Sequence, residues 1–173
     1  MKGLAVFVLT GVMFWNLENF FDYFDGGAGD SDTEFSPRGE RHWTRKRFDA
    51  KCNAVAKTVL WLGGVEGALP DVIGVAEVEN RFVVRQLVER TALRKLDYRI
   101  VHYDSPDPRG IDCALLYRSS RLKLVGSKPC RVSAADLLTR DILLAQFIEQ
   151  GTGDSLAVLV NHHPSKYGGG ETD

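Results

Sequence analysis

The stretch DVIGVAEVEN, residues 71–80, runs from a continuous apolar segment, Val72 to Ala76, into Glu77, Glu79 and Asn80. A β-branched run of this length without polar interruption reads as a strand buried on both faces. A carboxylate at the carboxyl end of such a strand has to be paired, hydrogen-bonded, bound to a metal or placed at the mouth of a cleft. In open α/β sheets that edge is where ligands bind. Whether Glu77 or Glu79 finds partners elsewhere in the chain is therefore the first question the sequence poses.

Upstream, Thr44 is a suitable N-cap, and Trp43 and Phe48 have the spacing of a hydrophobic staple. Phe48, Cys52, Val55, Val59 and Leu62 then line one helical face, and Gly63-Gly64 is expected to end the helix. Downstream, Asn80 can cap a second helix through RFVVRQLVERTAL. The pattern then changes to short runs with period two: YRIVHY, IDCALLYR, RLKLVGSKPCRV, TRDILLAQFIEQ and SLAVLVNHH. These read as strands, separated by turn signals at Ser105-Pro106-Asp107-Pro108, Ser119-Ser120 and Gly151–Asp154. A first strand is expected over Val6 to Leu17. Two early helices followed by four or five antiparallel strands indicate a mixed sheet or paired sheets with helices outside, not a doubly wound sheet.

The composition is that of one soluble globular domain: 173 residues, 44% hydrophobic and 26% charged. A net charge of −1 argues against nucleic-acid binding driven by overall charge but leaves local basic patches open. Cys52, Cys113 and Cys130 form no metal or disulfide spacing, and Cys52 and Cys113, which lie in apolar periodic segments, are expected to be buried free thiols. Lys2 with Leu4 to Leu9 resembles the start of a signal peptide, but no small-x-small cleavage site follows; a cytoplasmic protein is favoured and export left open. No stretch is long and apolar enough to span a membrane. The acidic loop before the first helix has calcium-like spacing at Asp30, Asp32 and Glu34, but Phe35 stands where glycine is needed and Arg41 where a glutamate is needed, so it reads as a solvated loop.

Three strand ends carry polar groups that a core does not need: Asn16 with Glu18 and Asn19, Glu77 with Glu79 and Asn80, and Asn161-His162-His163. A carboxylate and an amide oxygen suit a hard cation such as Mg²⁺, and an imidazole beside it can donate to a phosphate-like oxygen. The simpler meanings are turn-forming asparagines and a Glu77–arginine pair. Adjacent histidines on a strand point opposite ways, so only one of His162 and His163 faces any one site. Arg109 could hold an anion or pair with Asp112. The run Arg38, Arg41, His42, Arg45, Lys46 and Arg47 around Trp43 could contact phosphates and a base, or be a solvated helix start.

Taken in order, WNLEN, GVAEVEN, RGIDCALLYR and VNHHPS with a glycine run resemble the endonuclease/exonuclease/phosphatase superfamily, the DNase I-like metal-dependent phosphodiesterases. The resemblance implies an α/β fold, a four-layer sandwich of two packed mixed β-sheets flanked by helices, in one domain over residues 1–173. It implies that Asn16 and Glu77 form the metal site for Mg²⁺ or Mn²⁺, and that His162 contacts the scissile phosphate. Arg109, Asp112 and Arg140 match recurrent polar positions assigned here to phosphate binding, and Glu79 is expected to be exposed. The implied reaction is attack by water on a phosphate ester, with a sugar or inositol phosphate phosphatase, or a non-catalytic binding module, as the alternatives. The family's G-D-x-N strand and Asp-His pair have no counterpart here, so the expectation is an amino-terminal part, incomplete at its C-terminus and inactive alone. Such a chain would associate with a phosphate-ester substrate, which could be nucleic acid, and with a copy of itself (a homodimer) or another partner over an open sheet edge.

Overall fold

A computed structural model describes residues 10–24, 26, 33–132 and 138–163. The elements are β1 (Val12–Phe20), α1 (Arg45–Glu66), β2 (Val72–Val78), α2 (Arg81–Arg90), a 3₁₀ turn (Ala92–Lys95), β3 (Tyr98–His102), β4 (Asp112–Arg118), β5 (Leu122–Cys130), β6 (Ile142–Glu149) and β7 (Ser155–Val160). They form a four-stranded sheet in the order β1-β2-β4-β3 and a three-stranded sheet in the order β5-β6-β7. The first is mixed, because β1 pairs with β2 in parallel; every pairing in the second is antiparallel. This is the expected α/β arrangement of two sheets with helices outside.

The opening stretch shows why. Ile73 and Val75 of β2 pack on α1 and α2 with Phe48, Cys52, Val55 and Leu87. Val72 and Ala76 face the other way, into a second core with Leu143, Ala145, Phe147 and Val160 of the three-stranded sheet. An alternating strand with both faces buried needs apolar residues at every position, which is what β2 has. Gly74 lies on the inter-sheet face, where an added Cβ would come within 3.2 Å of Val160 Cγ2 and 3.3 Å of Phe14 Cδ2. Its missing side chain lets the two sheets approach. Burial pushes the thiols of Cys52 and Cys113 up to about 12, so both are inert apolar filler, and none of the three cysteines is in a disulfide.

Several boundaries differ from expectation. Residues 1–9 lie outside the described residues, and β1 continues to Phe20 instead of ending at Leu17. Helix α1 runs through Gly63-Gly64 to Glu66 and ends at Gly67, which takes the left-handed C-cap conformation (φ 75°). Gly63 is there for packing: a Cβ would fall 2.6 Å from Leu69 Cδ2 and 3.3 Å from Leu69 Cα. Gly64 has nothing within 4 Å. We therefore expect Gly64→Ala to stabilise the protein by about 1 kcal/mol, the helix-propensity gain. Gly63→Ala should destabilise it despite the same gain, and urea unfolding of the two variants checks the opposite signs. Helix α2 stops at Arg90 because Thr91, bonded to Leu87 O at 2.6 Å, accepts from Leu93 N and starts the 3₁₀ turn.

Asp30 and Asp32 fall outside the described residues, but the rest of that loop is not simply solvated. Phe35 stacks on Phe21, Trp43 Nε1 donates to Phe21 O at 2.9 Å, and Glu34 holds Arg41 at 2.6 Å. The basic run around Trp43 is thus partly engaged, and its indole is packed edge-on against Phe35. Among the described residues no helix is long and apolar enough to cross a membrane.

Candidate metal and phosphate site

The geometry of Glu77 departs from strand alternation. After Ile73 and Val75, the next β2 residue on the helix-side core is Val78, not Glu77. The pairing register shifts at this point against both neighbours: between Ala76 and Val78 of β2 where it pairs with β4, and between Asn16 and Phe20 of β1 where that strand pairs with β2. Glu77 is the extra residue of a bulge and has φ 58°, a left-handed conformation that a side chain disfavours. The bulge turns the Glu77 carboxylate toward Asn16 and His162 instead of the helices. Strain of this kind persists only where the surroundings enforce it, and it concentrates at functional positions.

Those surroundings are specific. Asn16 Nδ2 donates to Glu77 Oε1 at 3.0 Å, and the backbone N–H of Asn19 donates to Oε2 at 2.9 Å. Asn16 Oδ1 accepts from Glu18 N at 2.9 Å, so Asn16 steadies both the carboxylate and the β1 bulge. Glu18 and Asn19 also have positive φ, 54° and 56°. Lys51, reaching from α1, donates to Glu18 O at 2.7 Å and lies 5.6 Å from the Trp43 ring centroid. Burial lowers the Lys51 pKa, while Glu18 and Glu77 act to restore it. Lys51 was not apparent from the sequence, since its partners are backbone carbonyls. Lys51→Met keeps the apolar stem but removes the donor, and should cost about 1–3 kcal/mol in urea unfolding.

On the other sheet, β7 ends at Val160 and delivers His162, whose Nε2 is 3.5 Å from Glu77 Oε1. His163 points away and meets Asn161 at 3.0 Å, so one histidine of the pair faces the site, as alternation requires. Arg140 Nη1 lies 2.9 Å from His162 Nδ1. Guanidinium can only donate, so Nδ1 accepts and the proton of a neutral His162 sits on Nε2, toward the site. Burial, then Arg140, hold the His162 pKa below the ordinary value, which favours that neutral form. Arg140 is itself buried and is paired with Asp107 at 3.2 Å. Arg109, half-exposed, lies 3.6 Å from the same carboxylate. Asp107 also went unrecognised in the sequence, where it looks like one more turn former between two prolines.

Asp112 is placed differently. It is buried, accepts from His102 Nε2 at 3.1 Å and from Ser105 N at 2.9 Å, and is not bonded to Arg109. With the exposed Asp104 it forms a His/Asp/Asp group of metal-ligating type. Asp112 approaches the Nε2 side of the ring and Asp104 the Nδ1 side, at 3.9 Å, which is the geometry of a histidine held between two carboxylates. Glu79 is not an idle exposed residue either: its Oε2 accepts from Asp22 N at 2.6 Å and ties the end of β1 to β2.

A hard cation fits the Glu77 site. The carboxylate is partly exposed, and its two hydrogen bonds leave lone pairs on both oxygens. One carboxylate with retained waters is an ordinary way to hold Mg²⁺. Asn16 serves such an ion by fixing Glu77, since its own oxygen is bonded to Glu18 N.

Fold and site together define a two-sheet α/β protein with a carboxylate, an amide and an imidazole gathered at the strand ends. The profile of the endonuclease/exonuclease/phosphatase family matches residues 11–173, and the chain belongs to that family. No curated protein matches the sequence. Similar solved structures include an endonuclease/exonuclease/phosphatase family protein from Bacteroides thetaiotaomicron, with 17% identity and TM-score 0.56 over 87% of this chain and 49% of the other. A mannosyl-6-phosphatase from the same organism has 16% identity and TM-score 0.55 over 87% and 50%. Humanized D. rerio TDP2 has 15% identity and TM-score 0.54 over 87% and 45%. The chain spans about half the length of these structures.

Proposed function

We propose that this chain carries the metal- and phosphate-binding part of a divalent-metal-dependent phosphoric ester hydrolase. The observation that carries the reading is the re-aimed Glu77, a strained bulge residue whose carboxylate is held by Asn16 and Asn19 opposite His162. Glu77 would hold Mg²⁺ or Mn²⁺, which when bound neutralises charge on the phosphoryl oxygens and the leaving group. His162 presents an Nε2–H to a phosphoryl oxygen, and Arg140 keeps that proton on the correct nitrogen. Arg109 supplies a charge-assisted donor at the edge of the same cluster. Asp112 contributes indirectly, by fixing His102 and the start of the loop that carries Asp107.

A water attacking phosphorus must also lose a proton. Asp107 is engaged with two arginines and Asp112 with His102 and Ser105, so neither is placed to take it. The 173 residues alone are therefore expected to bind the cation and hydrolyse esters slowly or not at all. The mannosyl-6-phosphatase neighbour supports a phosphate ester as the substrate class.

The same proposal covers association. Among the described residues strands β1 and β7 are sheet edges, and Val12, Phe14 and Leu159 are more than half exposed there. A second copy or another protein over these edges would cover them, and sedimentation showing a compact monomer at high concentration would count against it.

The test of the main reading is a Mn²⁺ titration of the 173-residue chain by calorimetry, beside phosphomonoester and phosphodiester assays. One site lost in Glu77→Gln supports it. A chain that binds no cation, or a variant that binds as well as the parent, sinks it and favours a non-catalytic module.

A further inference from the structure

We infer that a groove between α2, the 3₁₀ turn and the edge strand β3 docks the phosphodiester backbone of a single-stranded nucleic acid, which deepens the proposed function by naming its substrate class and rests on it. The groove has a volume of about 480 Å³, and four guanidinium groups line it, those of Arg81, Arg85, Arg94 and Arg99. Its floor is apolar, with Val88, Leu96 and Ile100.

The charge is not internally balanced. Of the two carboxylates at the groove, Glu89 lies 4.0 Å from Arg85, at the limit of ion-pair distance. Asp97 is turned to Arg118 at 3.1 Å and to the N–H of Ser120. Burial alone would raise the Asp97 pKa, but these hydrogen bonds outweigh it and hold the group at about 2, fully ionised and already partnered. Among the described residues no carboxylate lies within 4.0 Å of the side-chain nitrogens of Arg81, Arg94 or Arg99. In a chain whose net charge is −1, a concave row of arginines is a local concentration of positive potential, not a reflection of overall composition.

Arg81 makes the same point from helix electrostatics. It occupies the first position of α2, and the first turn contains no acidic residue. A cation there opposes the helix dipole, so the placement is unfavourable for the helix itself and favourable once an anion is present. Arg81 and Arg85 are one turn apart on a single face and can grip successive anionic groups.

Position favours a polymer of phosphates over an acidic protein. Helix α2 begins directly after Asn80, at the end of the sheet that carries Glu77, and runs back along the sheet; Arg99 lies near the start of β3. By the strand registers Arg99 is level with Val72, at the opposite end of the sheet from Glu77, so the arginines are spread along a length that suits a run of phosphates better than a single anion. Arginine forks match phosphate oxygens bidentately, which a row of lysines would not.

The test is fluorescence anisotropy with a labelled oligothymidylate in EDTA, across a salt series. About three phosphate contacts predict a slope of roughly −2 in log K against log salt for a single strand. Arg94→Glu/Arg99→Glu should weaken binding about tenfold or more and flatten the slope by about 1.4. Lys123→Glu/Lys128→Glu, exposed on β5 with the same change in net charge, should have a much smaller effect. Arg94→Gln/Arg99→Gln repeats the test should the charge reversal disturb folding, which circular dichroism will show. EDTA keeps the Glu77 site free of cation throughout, so failure of the metal site and failure of the groove are separable. Unchanged affinity in the arginine variants overturns the inference, as does equal loss in the lysine control or equal competition by polyglutamate of matched charge.

Discussion

Glu77→Gly should unfold at a higher temperature than Glu77→Ala, while both lose the divalent cation. Within a regular strand the order is the reverse, because glycine costs about 0.5–1 kcal/mol relative to alanine in backbone entropy. At φ 58° the balance changes. A side chain in the left-handed region costs roughly 1–2 kcal/mol, and glycine does not incur it. Both substitutions remove the same carboxylate and with it the bonds from Asn16 Nδ2 and Asn19 N. Their difference therefore isolates the backbone, and Gly should exceed Ala by about 1 kcal/mol. Metal binding should fall in both by more than about a hundredfold, since even the partners that only orient a ligand are worth ten- to a hundredfold. Thermal unfolding without metal and Mn²⁺ calorimetry measure the two effects separately. An Ala variant more stable than the Gly variant would show that the bulge carries no strain and that Glu77 is not held there against its backbone preference.

Glu77 was legible in the sequence for a simple reason. Nothing between Val72 and Ala76 is polar, so a carboxylate that ends the run is conspicuous. The Asn80 cap was equally legible, and its side chain accepts from Val83 N at 3.1 Å as an N-cap does. What the sequence did not show was the direction of the Glu77 side chain. Strict alternation places it with Ile73 and Val75, toward the helices, and of the bulge residues Glu18, Asn19 and Glu77 only Asn19 is of a type that favours the left-handed region. Glycine would have marked it. Gly63-Gly64 misled in the opposite sense, because Leu69 packs over Gly63 and tertiary contact overrides a helix-stopping signal. Asp107 and Lys51 were hidden because their roles depend on groups distant in sequence: Arg140 for one, the Glu18 carbonyl for the other. Asp112 was visible as a polar strand start, but the chain pairs it with His102, at the end of the neighbouring strand β3, and not with the nearby Arg109.

Arg140→Met should be among the most destabilising single changes at the site, by about 3–5 kcal/mol, although it replaces a cation with an apolar chain of similar length. Arg140 is 3% exposed and Asp107 7%, so truncating the arginine leaves a buried carboxylate with Arg109 as its remaining partner. The penalty comes from that stranded charge more than from the lost attraction. It follows that Asp107→Asn added to Arg140→Met should restore much of the stability, although two groups have then been changed. Equilibrium urea unfolding of the two single variants and the double variant gives the coupling directly. A double variant as unstable as the sum of its parts would mean that Asp107 and Arg140 act independently. The same cycle separates folding from function. Arg140 also donates to His162 Nδ1, and no substitution at Asp107 can replace that bond. The double variant should therefore regain stability while its His162 loses the fixed tautomer, visible as a change in the imidazole ¹⁵N shifts. Recovery of both together would place Arg140 in the structural framework alone, whereas recovery of stability without the tautomer assigns it the further task of holding the His162 proton on Nε2, toward Glu77.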